Sequence, residues 1–162
     1  LEKRIGKESD RVMQNGGDCG QFNLDTFLPY QLNQVAEAVS RAFQERYQKE
    51  FNLSRSQWRT LAHLAAQDGL TAKDISARTH EDKVSISRAV AALETRGLLQ
   101  RQRSDVDKRF EILGLTETGR KLFAQLAARA EAFEAELVVV YGEEYVTQLR
   151  NLLAAFFGKL RY

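Results

Sequence analysis

Apolar residues in the first third of the chain recur at spacings of three and four: Leu28, Leu32, Val35, Val39 and Phe43. That rhythm lays one stripe along a helix and predicts an α-helix from Thr26 to about Glu50. Pro29 falls in its first turn, where a missing N–H costs little. Two shorter helices follow. Ser54 with Gln57 three residues on makes a capping-box pattern ahead of Trp58, Leu61 and Leu64, and Asp68-Gly69 closes that segment. Thr71 with Asp74 opens a short helix through Ile75 to about Arg78. After a polar break from Thr79 to Asp82, Asp82 is a good N-cap for a helix with Ile86, Val90 and Leu93 on its buried side. Gly97 suits the left-handed position just past its end.

Beyond Gly97 the period changes to two. Leu98–Arg103 and Arg109–Leu115 read as antiparallel strands joined by the polar turn 104–108, with Phe110, Ile112 and Gly114 alternating with Glu111 and Leu113. Thr116 starts a long helix whose apolar side carries Leu122, Leu126, Phe133, Leu137 and Val140. Gly142 punctuates it, and a last helix bears Tyr145, Leu149, Leu152, Leu153, Phe156 and Leu160. Residues 1–24 are polar, lack periodicity and are interrupted by Gly16, Gly17 and Gly20, so they read as a mobile arm.

Two short helices across a tight polar break, with a hairpin directly after the second, describe a winged helix-turn-helix. The predicted fold class is therefore mainly α with a small β-hairpin. A winged helix-turn-helix DNA-binding domain spans residues 54–115. A helical dimerisation region of residues 25–53 and 116–162 frames it. The flanking helices carry apolar stripes that a reading head of this size cannot cover alone. Pairing across a twofold axis would cover them and match palindromic DNA; folding back as an intramolecular bundle is the alternative.

Composition adds little until it is mapped. Of 162 residues, 43% are hydrophobic and 28% charged, as in an ordinary soluble protein. No apolar run approaches the roughly 20 residues that span a bilayer, and no signal-peptide pattern opens the chain, so no membrane partner and a cytoplasmic location are expected. The net charge of +2 is small, yet residues 54–116 hold 11 Lys/Arg against 8 Asp/Glu while the remainder holds 13 against 14. The positive excess sits in the middle, which suits a DNA-reading centre on a neutral frame.

The free face of the 83–96 helix carries Val84, Ser85, Ser87 and Arg88 in its first two turns. Arg88 can present its guanidinium fork to guanine O6 and N7, and the serines can bond bases or phosphates. Arg78, Lys83, Arg101 and Arg103 are placed for phosphate contacts, which position without reading sequence. At the hairpin tip, Asp107, Lys108 and Arg109 complete the candidate DNA contacts. Asp107 is two residues before Arg109, so it can brace that guanidinium towards a narrow minor groove, or form only a surface ion pair.

The stretches LSRSQWRTLAHLA, DKVSISRAVAALETRGLLQR and DVDKRFEILGLTETGRKL resemble the MarR family of transcriptional regulators, and the likeness runs from Leu24 onward. It implies a homodimer with interlocked terminal helices and two winged heads. Asp107 and Arg109 match that family's wing-tip acid and arginine, whereas Val106 stands where many members carry another basic residue. The resemblance also implies an effector crevice between dimer helices and head. Phe27, Tyr30 and Trp58 would line it, with Arg41 or Arg46 anchoring an anion. Hydrophobic core is the competing reading of those aromatics. The opening LDTFLPYQLNQVAEAVSRAF is similar to members that sense phenolic acids or their coenzyme A thioesters.

The expected function is thus a ligand-responsive repressor. A DNA-binding regulator without an effector and a redox sensor through Cys19 are the alternatives. Cys19, the single cysteine, sits in the glycine-rich arm rather than in the first helix, which favours an incidental thiol. His63 and His80 lack ligand spacing, so neither a metal nor another cofactor is expected. No catalytic motif appears, so an enzyme is not expected.

Overall fold

The computed structural model describes residues 22–103 and 111–160. The chain forms two units that divide between Val39 and Ser40. In the first, one turn of 3-10 helix (Leu24–Thr26) is capped by Asn23, whose side chain accepts the Asp25 N–H at 2.9 Å. Phe22 and Phe27 meet edge to face at 5.2 Å. Helix α1 (Leu28–Phe51) then begins with Pro29 in its first turn. The apolar residues Leu24, Phe27, Leu28, Leu32, Val35 and Val39 are all exposed.

The second unit contains the last turns of α1, then α2 (Arg55–Ala66), α3 (Ala72–Thr79), α4 (Lys83–Thr95), β1 (Leu99–Arg103), β2 (Glu111–Leu115), α5 (Glu117–Tyr141) and α6 (Glu143–Leu160). Local chemistry sets the helix starts. Ser54 with Gln57 and Thr71 with Asp74 form reciprocal capping boxes, while Asp82 caps α4 and Thr116 caps α5. Helix α4 ends as its sequence predicts. Gly97 adopts φ +67°, its N–H donates to Glu94 C=O at 2.8 Å, and the Leu98 N–H reaches Leu93 C=O at 2.9 Å. These are the paired bonds of a Schellman ending.

The core gathers Tyr47, Leu53, Leu61, Leu64, Ile75, Ile86, Val90, Leu93, Leu99, Leu113 and Leu126, each almost fully enclosed. Each such aliphatic side chain contributes about 1.5–3 kcal/mol of burial. Arg96, just past α4, donates to the Phe51 and Asn52 carbonyls at 2.9 Å each, so it ties the end of α1 to the reading head.

The strands pair as the alternation predicts, and the structure adds which side is buried. Strand β1 pairs antiparallel with β2 in the register Leu99↔Leu115, Arg101↔Leu113 and Arg103↔Glu111. The buried positions are Leu113 and Leu115, with Ile112 and Gly114 only half-covered. A bridge absent from the periodicity explains this. Leu113 takes the Gly69 N–H at 3.1 Å and gives its own N–H to Leu70 C=O at 2.8 Å. Leu113 is thus central, flanked on both edges, and its side chain enters the core. Val140 and, on α6, Tyr145, Leu149, Leu152, Leu153, Phe156 and Leu160 are exposed. Among the described residues no helix is long and apolar enough to cross a membrane.

Candidate nucleic-acid interface

The α3–α4 corner is built from short polar segments that lock one another. Thr79 turns its hydroxyl back to Ile75 C=O at 2.9 Å, His80 reverses the chain at φ +55°, and Asp82 opens α4. Asp82 accepts the Ser85 N–H at 2.9 Å and the Ser85 hydroxyl at 2.6 Å, which holds its carboxyl below the ordinary range. Asp74 is lowered likewise by Thr71. Such depressed carboxyls favour folding above the ordinary Asp value, and that contribution disappears only as pH falls through their lowered values. Both caps are therefore intact at neutral pH.

Helix α4 buries Ile86, Ala89, Val90 and Leu93 and leaves Lys83, Val84, Ser87 and Arg88 exposed, Val84 at 57%. Four of the predicted contact residues therefore share the open side of the first two turns. Ser85 does not join them freely, because it is half-buried and its hydroxyl is spent on Asp82. Arg78 donates to the Gln67 side chain at 2.8 Å, which links α3 to the end of α2. With Arg59, it pushes His63 below its ordinary value, after burial as the main cause.

Arg101, expected at a phosphate, is held by two carboxylates. Its guanidinium lies between Glu94 at 2.9 Å and Glu111 at 3.0 Å, and both raise its pKa. It joins the last turn of α4 to both strands. Arg103, opposite Glu111, is exposed. Asp107, Lys108 and Arg109 lie outside the described residues, as does Cys19.

The candidate effector residues are divided between the two units. Phe27 and Tyr30 belong to the first unit, where Tyr30 accepts from Gln34 at 2.5 Å. Arg41, Arg46 and Trp58 belong to the second. Arg41 is exposed, and Arg46 is paired with Glu136 at 2.5 Å. Trp58 stacks on Phe123 at 6.0 Å and meets Phe43 at 5.2 Å and Tyr47 at 5.9 Å; Phe133 reaches Phe43 at 5.4 Å. Sequence reasoning missed Phe43, Tyr47, Phe123 and Phe133 as one cluster with Trp58, because they come from three helices. Burial pushes the Tyr47 phenol up to about 12, against the lowering by Arg55 and Arg59, so it stays protonated at any physiological pH. Among the described residues no group of three or more His, Cys, Asp or Glu could hold a metal.

A model of the MarR family matches residues 51–109. The HTH-type transcriptional regulator YwoH of Bacillus subtilis (strain 168) is 27% identical over 82% of this chain and 96% of its own length. The homoprotocatechuate degradative operon repressor of Escherichia coli is 26% identical over 80% of this chain and 86% of its own. Among solved structures, the transcriptional repressor CouR bound to a 23-mer DNA duplex superposes with a TM-score of 0.72. Its identity is 27%, and the match covers 85% of this chain and 99% of that one.

Proposed function

We propose that this chain, whose residues 51–109 match the MarR family of transcriptional regulators, represses transcription as a symmetric homodimer on a palindromic operator and is released by a small aromatic acid or its coenzyme A thioester. The observation that carries the DNA-reading part is α4 itself: one side is locked in the core, and Lys83, Val84, Ser87 and Arg88 stand open on its first two turns. Arg88 reads a base edge, Lys83 and Arg103 meet phosphates, and Ser85 sets the helix start. Arg78 and Arg101 hold neighbouring elements in place. Asp107, Lys108 and Arg109 supply the wing contact. Such a regulator works in the cytoplasm. Selection of bound duplexes from a random pool tests the reading: a palindromic consensus supports it, and recovered sequences without any consensus sink it.

Arg88→Ala should weaken operator binding by roughly 1–3 kcal/mol and spare most non-specific binding. Titrations of operator and scrambled duplex separate the cases, since equal loss on both would reduce Arg88 to a phosphate contact.

The effector reading is supported by the likeness to the homoprotocatechuate degradative operon repressor and by the aromatic cluster of Trp58 with Phe43, Tyr47, Phe123 and Phe133. Phe27, Tyr30, Arg41, Arg46 and Trp58 are its proposed contacts. A ligand releases the protein only through differential affinity for two arrangements, and a tenfold loss of operator affinity needs about 1.4 kcal/mol of it. Hydroxycinnamic or benzoic acids, or their coenzyme A thioesters, should displace operator-bound protein and alter the fluorescence of Trp58, the single tryptophan. Tight operator binding that none of these compounds disturbs would remove the aromatic effector and leave DNA binding standing.

A further inference from the structure

One residue of the helix-turn-helix corner is tied to two helices and leads into a third. Glu81 directly precedes the N-cap of α4, and its side chain is only 16% exposed. Its carboxylate accepts from the Ser56 hydroxyl and, at 2.9 Å, from the Arg59 guanidinium, both on α2. Its carbonyl accepts the Ser76 hydroxyl of α3 at 2.7 Å, and its N–H donates to Thr79 Oγ1 at 3.3 Å. The chain reverses at the adjacent His80. The first turn of α4 therefore has its starting point bolted to α2 and α3 through Glu81.

We propose that Glu81 is a positioning residue for sequence reading: its latch to Ser56 and Arg59 sets the angle at which α4 offers its open face. The inference rests on α4 being the recognition helix. It makes a prediction of unusual sign. A carboxylate close to DNA repels phosphates, so by charge alone its removal would tighten binding to every duplex. A latch does the opposite, and only where geometry matters: base-edge bonds depend on a correctly aimed helix, whereas phosphate attraction tolerates small tilts.

The test uses the full chain as wild type, Glu81→Gln, Ser56→Ala and the double variant. Each is titrated against the duplex recovered by selection and a scrambled duplex, with a thermal melt beside it. Glu81→Gln should bind the selected duplex about tenfold more weakly, as expected when a charge-assisted hydrogen bond is lost, and the scrambled duplex as well as before or slightly better. Ser56→Ala should follow with a smaller factor, and should add less in the Glu81→Gln background than alone. Tighter binding to both duplexes, equal loss on both, or no change overturns the latch. If Glu81→Gln fails to fold, Ser56→Ala, which keeps both charges, decides by the same ratio of affinities. A wild-type chain that prefers no duplex overturns the recognition-helix reading itself, an outcome visible before any variant is compared.

Discussion

Gly119→Ala is expected to cost at least about 3 kcal/mol of stability, near the upper end of what overpacking a close contact does. In most helices the change would help by up to about 1 kcal/mol, because glycine is a poor helix former. Here the third residue of α5 is buried, and a Cβ on it would lie 1.9 Å from the Leu98 carbonyl oxygen and 2.9 Å from its carbon. The obstacle is backbone, and that backbone is fixed. The Leu98 N–H is held by Leu93, its carbonyl takes the Thr116 N–H at 3.1 Å, and the Thr116 hydroxyl donates to Gly97 C=O at 2.7 Å. Neither side can move without breaking the ending of α4 or the cap of α5, so the clash outweighs the propensity gain. For a chain of this length the melting point should fall by roughly 6–12 °C. A melt that is unchanged or raised would mean that α5 swings clear of Leu98 at no cost.

What the sequence revealed, and what it hid, divides by the range of the interactions. The starts of α2, α3 and α4 were legible because a cap is a local pattern: Ser54 with Gln57, Thr71 with Asp74 and Asp82 each bond within three residues. The α4 stripe was legible for the same reason, since period alone selects Ile86, Val90 and Leu93. The bridge from Leu70 to Leu113 was not. A single pair of residues has no period, yet it decides which side of β2 is buried. Gly119 was hidden too, because its demand comes from Leu98, on a different element.

The candidate interface divides in the same way. Lys83, Val84, Ser87 and Arg88 followed from the helical face opposite the stripe. The ion pairs of Arg101 were hidden, because an arginine on a strand looks free until Glu94 and Glu111 are brought beside it. Glu81 carried no signal at all. It reads as a polar turn residue until Ser56 and Arg59, more than 20 residues earlier, face it.

Deleting the chain from Glu143 onward is expected to leave a folded head that no longer dimerises. No residue of α6 is buried, and the enclosed core runs from Tyr47 to Leu126, so the deletion removes none of it. What it removes is an apolar face. Leu149, Leu152, Leu153, Phe156 and Leu160 are exposed, Phe156 at 46%. At about 25 cal/mol per Å² of apolar surface, a helix with that many large side chains in water gains several kcal/mol from a covering partner. A second copy, with the same unsatisfied face across a twofold axis, is the proposed cover. Losing it also separates the two heads. Two linked heads on a palindrome bind more tightly than one by a factor on the order of 10²–10⁴, so operator affinity should fall by that much although every residue of α4 is intact. The order of events is checkable. Sedimentation should show a monomer, the melt should stay cooperative, and weak binding to a half-site should persist. A truncated chain that still sediments as a dimer would place the interface elsewhere. A monomer with undiminished operator affinity would show that symmetry contributes nothing to recognition.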